Sequence, residues 1–482
     1  MRLLVLGGTR FVGRALVAEA VRRGDDVTVV HRGTTGSAPP GVRTLLADRR
    51  APGSLAEALA SAPGGGEWDA VVDTWSAEPV AVRDAVRLLR DRTGHYGYVS
   101  SRSVYRWPPQ PGADEDAPVV DGDAGGTDAA DYAAAKRGGE LAVLEGFADR
   151  SLLARAGLIL GPHEDVGRLP WWLHRTSRGG VVPAPGPPDL PLQYVDARDL
   201  AAWLLDAAER AVTGTFNAVG PRGHATMSSL LGACRAAVAQ DGPAAELVWL
   251  TPREVAAAGA TGWNDLPIWT PPDSDLAGLH HGDVSAAQEA GLRCRPVEET
   301  VADTWEWLRA EGMPAPRTDR PPLGPAPAVD RALAELAAGA ASRVTLRPAV
   351  VDDVPEVMAF WGRAAEDAHR PADSTAAVER LLARDSEALV LAEADGRIVG
   401  TVVVGWDGWR CHLYRLAVDP ERRRQGIGAR LIAHAEERFR SLGGTRSDAM
   451  VLDDNDLAHA AWRAAGYAPQ SEWSRWVKPL GG

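Results

Sequence analysis

Two glycine-bearing turns and one serine–tyrosine–lysine set are the residues of this chain whose types and spacing can do chemistry. The first turn, Gly7-Gly8-Thr9-Arg10-Phe11-Val12-Gly13, lies between a short apolar run ending at Leu6 and a helical pattern over Val12–Arg23. Glycine there permits a tight turn and lets the backbone approach a pyrophosphate seated on the helix N-terminus. A second strand-like run, Asp26–Val30, is followed by His31 and Arg32. A site for the unphosphorylated dinucleotide wants an acid here, to accept from the ribose 2′-hydroxyl. A guanidinium pairs instead with a 2′-phosphate, and Arg10 can join it, so NADPH is expected ahead of NADH. A solvated surface arginine is the plain alternative for Arg32. Asp48, past a third strand, is expected to accept from the adenine amine or to cap a helix. Thr74, past a fourth, is expected to border the same cofactor.

Proton transfer needs the second set. Ser100-Ser101-Arg102-Ser103-Val104-Tyr105 follows a strand-like run, and Tyr132 stands four residues before Lys136. That spacing puts phenol and ammonium on one helix face. The ammonium favours the phenolate and is expected to lower the tyrosine pKa, so that the phenol gives or takes a proton near neutral pH. A serine hydroxyl completes a donor pair for a carbonyl oxygen as hydride arrives.

The other turn, Arg422-Arg423-Arg424-Gln425-Gly426-Ile427-Gly428-Ala429, follows Val418-Asp419-Pro420 and opens a helix. Backbone N–H groups and the helix dipole suit a pyrophosphate. Cations are unfavourable at a helix N-terminus, so the arginine run calls for an anionic ligand. The three cysteines, Cys234, Cys294 and Cys411, are far apart and build neither a metal spacing nor a disulfide framework; no metal is expected.

The elements that must position these residues follow from hydrophobic periodicity. Arg2–Leu6, Asp26–Val30, Ala70–Thr74 and Tyr96–Ser100 read as strands alternating with helices, which implies a parallel sheet covered on both faces. Such a sheet binds ligands beyond the carboxyl ends of its strands. From Gly312 to Ser342 the chain is Pro-rich, then Ala-rich, and is expected to be an extended spacer followed by a short helix. Beyond it, Pro355–Glu366 and Ala376–Ala383 read as helices. Ala388–Glu393, Arg397–Gly405 and Arg410–Val418 read as an antiparallel meander with a turn at Asp395-Gly396, and a helix over Gly428–Phe439 follows. The expected fold class is α/β: a Rossmann doubly wound parallel sheet over residues 1–311, with a substrate subdomain mainly in 165–310. A linker, 312–342, and an α+β domain, 343–482, complete it.

Residues 1 to about 310 resemble the extended and atypical short-chain dehydrogenase/reductases, the NAD-dependent epimerase/dehydratase group. Beyond the turn and the Tyr–Lys pair, the likeness rests on Arg155-Ala156-Gly157-Leu158-Ile159-Leu160-Gly161-Pro162, Gln193–Leu200 and Gly214-Thr215-Phe216-Asn217. The resemblance implies that Ser101 and Tyr132 are catalytic. It also implies that Lys136 binds the nicotinamide ribose and tunes Tyr132. Arg10 replaces the family's middle glycine, the form of the atypical branch, some of whose members are not proven enzymes and some of which are associated with RNA. Asp73-Thr74-Trp75 replaces the usual His-Leu-Ala-Ala.

Val344 to Pro479 is similar to the GNAT N-acetyltransferases, whose Arg/Gln-x-x-Gly-x-Gly/Ala signature matches Arg423-Arg424-Gln425-Gly426-Ile427-Gly428. The resemblance implies acetyl-CoA, with the strand Tyr414–Val418 along the pantetheine arm, and Asn455 matching a downstream motif. The family often places a tyrosine acid where this chain has Trp462. Asp453, Asp454 and Glu393 are candidate bases.

The net charge of −13 lacks the basic face that a nucleic-acid partner needs. The opening apolar run is too short for a signal peptide or membrane span, and no apolar stretch of about 20 residues occurs. A cytoplasmic enzyme acting on small molecules is expected, with a homodimer left open. The leading reading is a bifunctional enzyme of specialised metabolism or self-resistance. One half reduces a carbonyl, imine or hemiaminal with NADPH; the other acetylates with acetyl-CoA. A sugar-nucleotide epimerase or dehydratase using NAD is one alternative, and a non-catalytic NADPH and acetyl-CoA sensor is another. Trp171-Trp172 and the Trp263–Trp269 loop are expected either to line a pocket for a flat substrate or to pack as core.

Overall fold

The computed structural model describes residues 1–34, 36, 38–62, 66–317, 320–342, 344–365, 372–394 and 396–470. Glu366, Asp395 and the stretch from 471 to Pro479, all named above, lie outside the described residues. The chain packs as two compact units. The first holds residues 1–177, 190–240 and 259–326; the second holds 178–189, 241–258 and 327–482. Segments 178–189 and 241–258, read from sequence within the substrate subdomain, thus pack with the C-terminal part of the chain.

In the first unit, β1 (Arg2–Leu6), α1 (Phe11–Arg23), β2 (Asp26–His31), β3 (Arg43–Leu46), α2 (Ser54–Ala60), β4 (Trp68–Asp73), α3 (Pro79–Leu89) and β5 (Thr93–Ser101) alternate as the periodicity predicts. They are followed by α4 (Tyr132–Phe147), β6 (Ser151–Ala156), β7 (Leu158–Leu160) and α5 (Arg168–Ser177). Seven strands form one parallel sheet in the order β11-β6-β5-β4-β1-β2-β3, where β11 is Gly214–Ala218. The strand order reverses between β1 and β4, and the crevice outside their carboxyl ends is where such sheets bind ligands. Both faces of the central strands are buried, so β1, β2 and β4 are largely apolar, whereas the edge strand β3 is mostly exposed. Leu3 and Val5 pack on one side with Leu16 and Val17; Leu4 and Leu6 pack on the other with Val82 and Phe147.

Shorter elements complete this unit. A two-stranded parallel ladder joins β7 to β10 (Tyr194–Asp196), and an antiparallel one joins β9 (Pro191–Leu192) to β12 (Ala225–Thr226). The helices are α6 (Ala197–Glu209), α7 (Met227–Val238), α9 (Ser285–Glu289) and α10 (Val297–Glu311). Trp172, Trp203 and Trp269 are fully buried core residues, whereas Trp171 and Trp263 are half-buried. The Pro-rich segment expected to be a spacer lies against this unit. The Gly324 N–H donates to the Asn264 carbonyl at 2.8 Å, and Arg317 pairs with Asp165 at 3.4 Å.

In the second unit, β8 (Gly180–Pro185) and β13 (Ala245–Leu250) form a parallel pair. It packs with α11 (Pro327–Ser342), the Ala-rich helix; α8 is Pro252–Ala257. A five-stranded sheet follows in the order β14-β15-β16-β17-β18: Val344–Pro348, Leu389–Ala394, Arg397–Trp406, Cys411–Val418 and Ser447–Ala449. It is antiparallel except for β17–β18. Helices α12 (Val354–Ala364) and α13 (Thr375–Arg384) precede the meander; α14 (Ile427–Ser441) and α15 (Asp456–Ala464) come after it. The pairing of β17 with β18 ends at Leu413 and Ala449, leaving Tyr414–Val418 beyond that ladder. Among the described residues no helix is long and apolar enough to cross a membrane.

Candidate active sites

The Gly7 turn is built so that only glycine fits. Gly7 has φ of +102°, and a Cβ there would meet Thr74 Oγ1 at 2.4 Å. A Cβ on Gly13 would lie 1.9 Å from the Gly7 carbonyl oxygen. Thr74, at the end of β4, donates through Oγ1 to the carbonyls of Leu6 and Gly7 at 3.1 and 3.2 Å, so it braces the turn from the neighbouring strand. Arg10 is the N-cap of α1, and no side chain caps the helix. Its first-turn N–H groups are therefore offered to whatever lies in the crevice. Phe11 and Val12 begin the helix, with Val12 turned into the core.

At the end of β2, His31 Nδ1 accepts from the Gly33 N–H at 3.0 Å, while its Nε2 is buried with no hydrogen-bond partner. Burial pulls the His31 pKa down. Arg32 is exposed, with no hydrogen bond or ion pair among the described residues. Arg10 lies 3.5 Å from Asp165. Asp48 serves a local turn, its carboxylate accepting from the Arg50 N–H at 3.0 Å. A cradle closed to any Cβ, an uncapped helix start and an orphaned ring nitrogen together fit a dinucleotide.

The proton-transfer residues converge on the same edge. Asp131 N-caps α4, accepting from the Ala134 N–H at 3.0 Å, which fixes Tyr132 as the first residue of the helix. Ser101, the last residue of β5, lies near Tyr132, and its hydroxyl favours the phenolate. Ser101 Oγ also accepts from the Ser103 N–H at 3.1 Å. Lys136, one turn on, behaves differently from expectation. Its Nζ donates to the carbonyls of Trp75 and Val99 at 2.6 and 2.7 Å, and sits 4.9 Å from the Tyr98 ring centre. Burial lowers its pKa to about 7. The Tyr132 pKa is raised, not lowered. Although 38% of the residue is open, protein crowds its hydroxyl and desolvation dominates. The opposing influences are the nearby Ser101 hydroxyl and the guanidiniums of Arg320, Arg168 and Arg317. Sequence reasoning missed these three arginines. They are remote from Tyr132 in the chain, and no spacing rule links them to it.

Behind the site, Asp73 at the end of β4 is fully buried. It pairs with Arg49 at 2.6 and 2.8 Å and accepts from the Tyr96 hydroxyl at 2.8 Å. The Trp75 N–H also donates to it, at 2.9 Å. This ion pair takes the place of the family's usual motif after that strand and fixes the Trp75 carbonyl that Lys136 uses.

In the second unit, Gly426 (φ +85°) caps α14 without a side-chain hydrogen bond, and Arg424 also has positive φ (+63°). Gly428 and Ile427 begin the helix, with Ile427 in the core. The arginine run has protein partners. Arg423 donates to the carbonyls of Val418 and Ala364 at 3.2 and 3.4 Å, and Arg424 pairs with Asp189. The Gln425 amide donates to the Glu421 carbonyl at 3.4 Å. Arg423 and Arg424 thus have protein partners, while the start of α14 is left without a side-chain cap. Asn455 caps α15, accepting from the Ala458 N–H at 3.0 Å. Trp462 is buried, edge-on to Tyr467 at 4.9 Å. Of the candidate bases, Glu393 is tied to Arg347 at 2.6 and 2.9 Å, whereas Asp453 and Asp454 are exposed.

Residues 3–220 match the NAD-dependent epimerase/dehydratase family, and residues 355–467 match the acetyltransferase (GNAT) family. An acetyltransferase of Yersinia pestis is 35% identical over 120 residues, which cover 25% of this chain and 84% of that protein. An acetyltransferase of Sodalis glossinidius is 34% identical over the same length, covering 83% of that protein. Among solved structures, the Bordetella bronchiseptica enzyme WbmH in complex with NAD+ aligns with 65% of this chain and 99% of its own, at 19% identity and a TM-score of 0.47. Both families are families of enzymes, one of oxidoreductase type and one of acyltransferases. The chain therefore belongs to the GNAT acetyltransferases through residues 355–467, and its residues 3–220 match the NAD-dependent epimerase/dehydratase family in the same polypeptide.

Proposed function

We propose that the N-terminal part, residues 1–311, is an NADPH-dependent reductase of a carbonyl, imine or hemiaminal. Residues 343–482 then acetylate an amine or hydroxyl with acetyl-CoA, joined through 312–342. The observation that carries the choice of reductase is Arg32 at the end of β2, exposed and unpaired where a site for unphosphorylated NAD wants an acid. Gly7, Gly8 and Gly13 hold the backbone open for the pyrophosphate, and Arg32 with Arg10 receives the 2′-phosphate. When bound, the dinucleotide supplies the hydride. Tyr132 gives its proton to the substrate oxygen as that oxygen gains charge, and Ser101 donates a hydrogen bond to it. In the second part, the acceptor attacks the thioester carbonyl and the coenzyme leaves as thiolate. Trp462 has no labile proton to offer, so the thiolate takes its proton from the acceptor or from water.

The family match over residues 3–220 favours a second reading, an epimerase or dehydratase that keeps NAD bound without net consumption. Purified protein separates the two. A reductase oxidises NADPH in step with substrate, seen at 340 nm; an epimerase releases oxidised NAD only on denaturation. In either enzyme Tyr132→Phe is expected to lose about 10²–10⁴-fold in rate, with dinucleotide affinity held within about twofold. A non-catalytic sensor would have no turnover for Tyr132→Phe to abolish.

A further inference from the structure

Arg168 is a half-buried cation whose side chain makes no ion pair among the described residues. It begins α5, and its guanidinium lies on the Trp263 ring, 4.9 Å from the ring centre. Its Nε is buried with no hydrogen-bond partner, and among the described residues no ion pair holds it. The charge of Glu164 favours the Arg168 cation, but the two side chains form no ion pair. Glu164 accepts from the backbone N–H groups of Arg168 and Leu169 at 2.7 and 3.1 Å, and burial lifts its pKa to about 7. Asp165 lies 3.5 Å from Arg10 and 3.4 Å from Arg317. Arg320 adds a further guanidinium 6.0 Å from the Tyr132 ring centre. In a chain of net charge −13, this cluster concentrates positive charge beside the one tyrosine placed for proton transfer. A buried charged donor without an acceptor is costly. Such groups are found where a ligand completes them.

We infer that the substrate of the first unit carries an oxyanion, a carboxylate or a phosphate, which Arg168 receives on its Nε side next to Tyr132, with Arg320 closing the same wall. The inference rests on the reading of Tyr132 as facing a substrate crevice. A guanidinium held flat on an indole presents its edge as a fork, which matches two oxygens of one anion. Arg320 lies within the Pro-rich segment, so part of the connection between the two catalytic parts serves the first site.

Calorimetric titration of the full chain tests this with benzoate, phenyl phosphate and the neutral benzyl alcohol as probes, each with and without NADPH. Wild type is expected to bind at least one of the two anions at least about tenfold more tightly than benzyl alcohol. Arg168→Gln should abolish that preference, Arg168→Lys should retain part of it, and Arg87→Gln, on the exposed face of α3, should leave it unchanged. The relative strengths of benzoate and phenyl phosphate tell carboxylate from phosphate. The Tm of Arg168→Gln should equal or exceed that of wild type, since an unpaired buried charge is removed; a collapse in Tm would mean a structural role and overturn the inference. Equal binding of neutral and anionic probes, or an anion preference that survives Arg168→Gln, would also overturn it. NADPH turnover is a separate readout. Anion preference without turnover would sink the reductase reading and leave this one standing.

Discussion

Lys136 holds its ammonium against two backbone carbonyls, and burial brings its pKa from 10.5 to about 7. The sign of the consequence follows from proton counting. Below pH 7 the lysine is charged in both the folded and unfolded chain, and the full cost of burying the charge is present. Between about pH 7 and 10.5 the unfolded chain keeps its proton while the folded one has released it, so stability rises with pH. Lys136→Met should lack this component. From pH 6 to pH 9, wild type should gain on the variant by up to about 1.4 kcal/mol for each pH unit above 7. Parallel Tm curves across that range would contradict it. The Tyr132–Lys136 pair was legible because a spacing of four fixes a shared helix face. Which cations face the phenol was not, because Arg168, Arg317 and Arg320 reach it from other elements.

The turn between β1 and α1 is decided by backbone clearance. Gly13 faces the Gly7 carbonyl with no room for a methyl group. Gly13→Ala is therefore expected to destabilise the first unit by about 1–3 kcal/mol and to abolish NADPH binding in a direct titration. Acetyl-CoA binding should be untouched, because Gly426 and α14 belong to the second unit; loss of both ligands would mean global unfolding instead. Elements with strong periodicity, such as α1, β2 and the β15–β17 meander, were readable to within a few residues. The two- and three-residue ladders β9–β12 and β7–β10 were not, since so few residues carry no period. Nor were the protein partners of the arginine run before α14 readable. Its charge is met by Asp189 and by the carbonyls of Val418 and Ala364, partners that only folding brings near.

Across the molecule, two families in one chain predict two independent ligand responses. NADPH and acetyl-CoA, each at about 100 times its dissociation constant, should add about 2.7 kcal/mol to the unit that binds it. In a calorimetric scan this is a rise of several degrees in one transition, with the other unmoved. A single transition that both ligands shift together would mean the units unfold as one. The sequence by itself determined the two fold classes and both glycine turns, because each depends on local periodicity or on a spacing within a few residues. Tertiary structure alone decided that segments 178–189 and 241–258 pack with the C-terminal unit and that the Pro-rich connection lies on the first unit. It also decided that Arg168 lies half-buried near Tyr132 with its Nε unpartnered. These depend on contacts between residues far apart in the chain, and the burial that sets their energies exists only once the chain has folded.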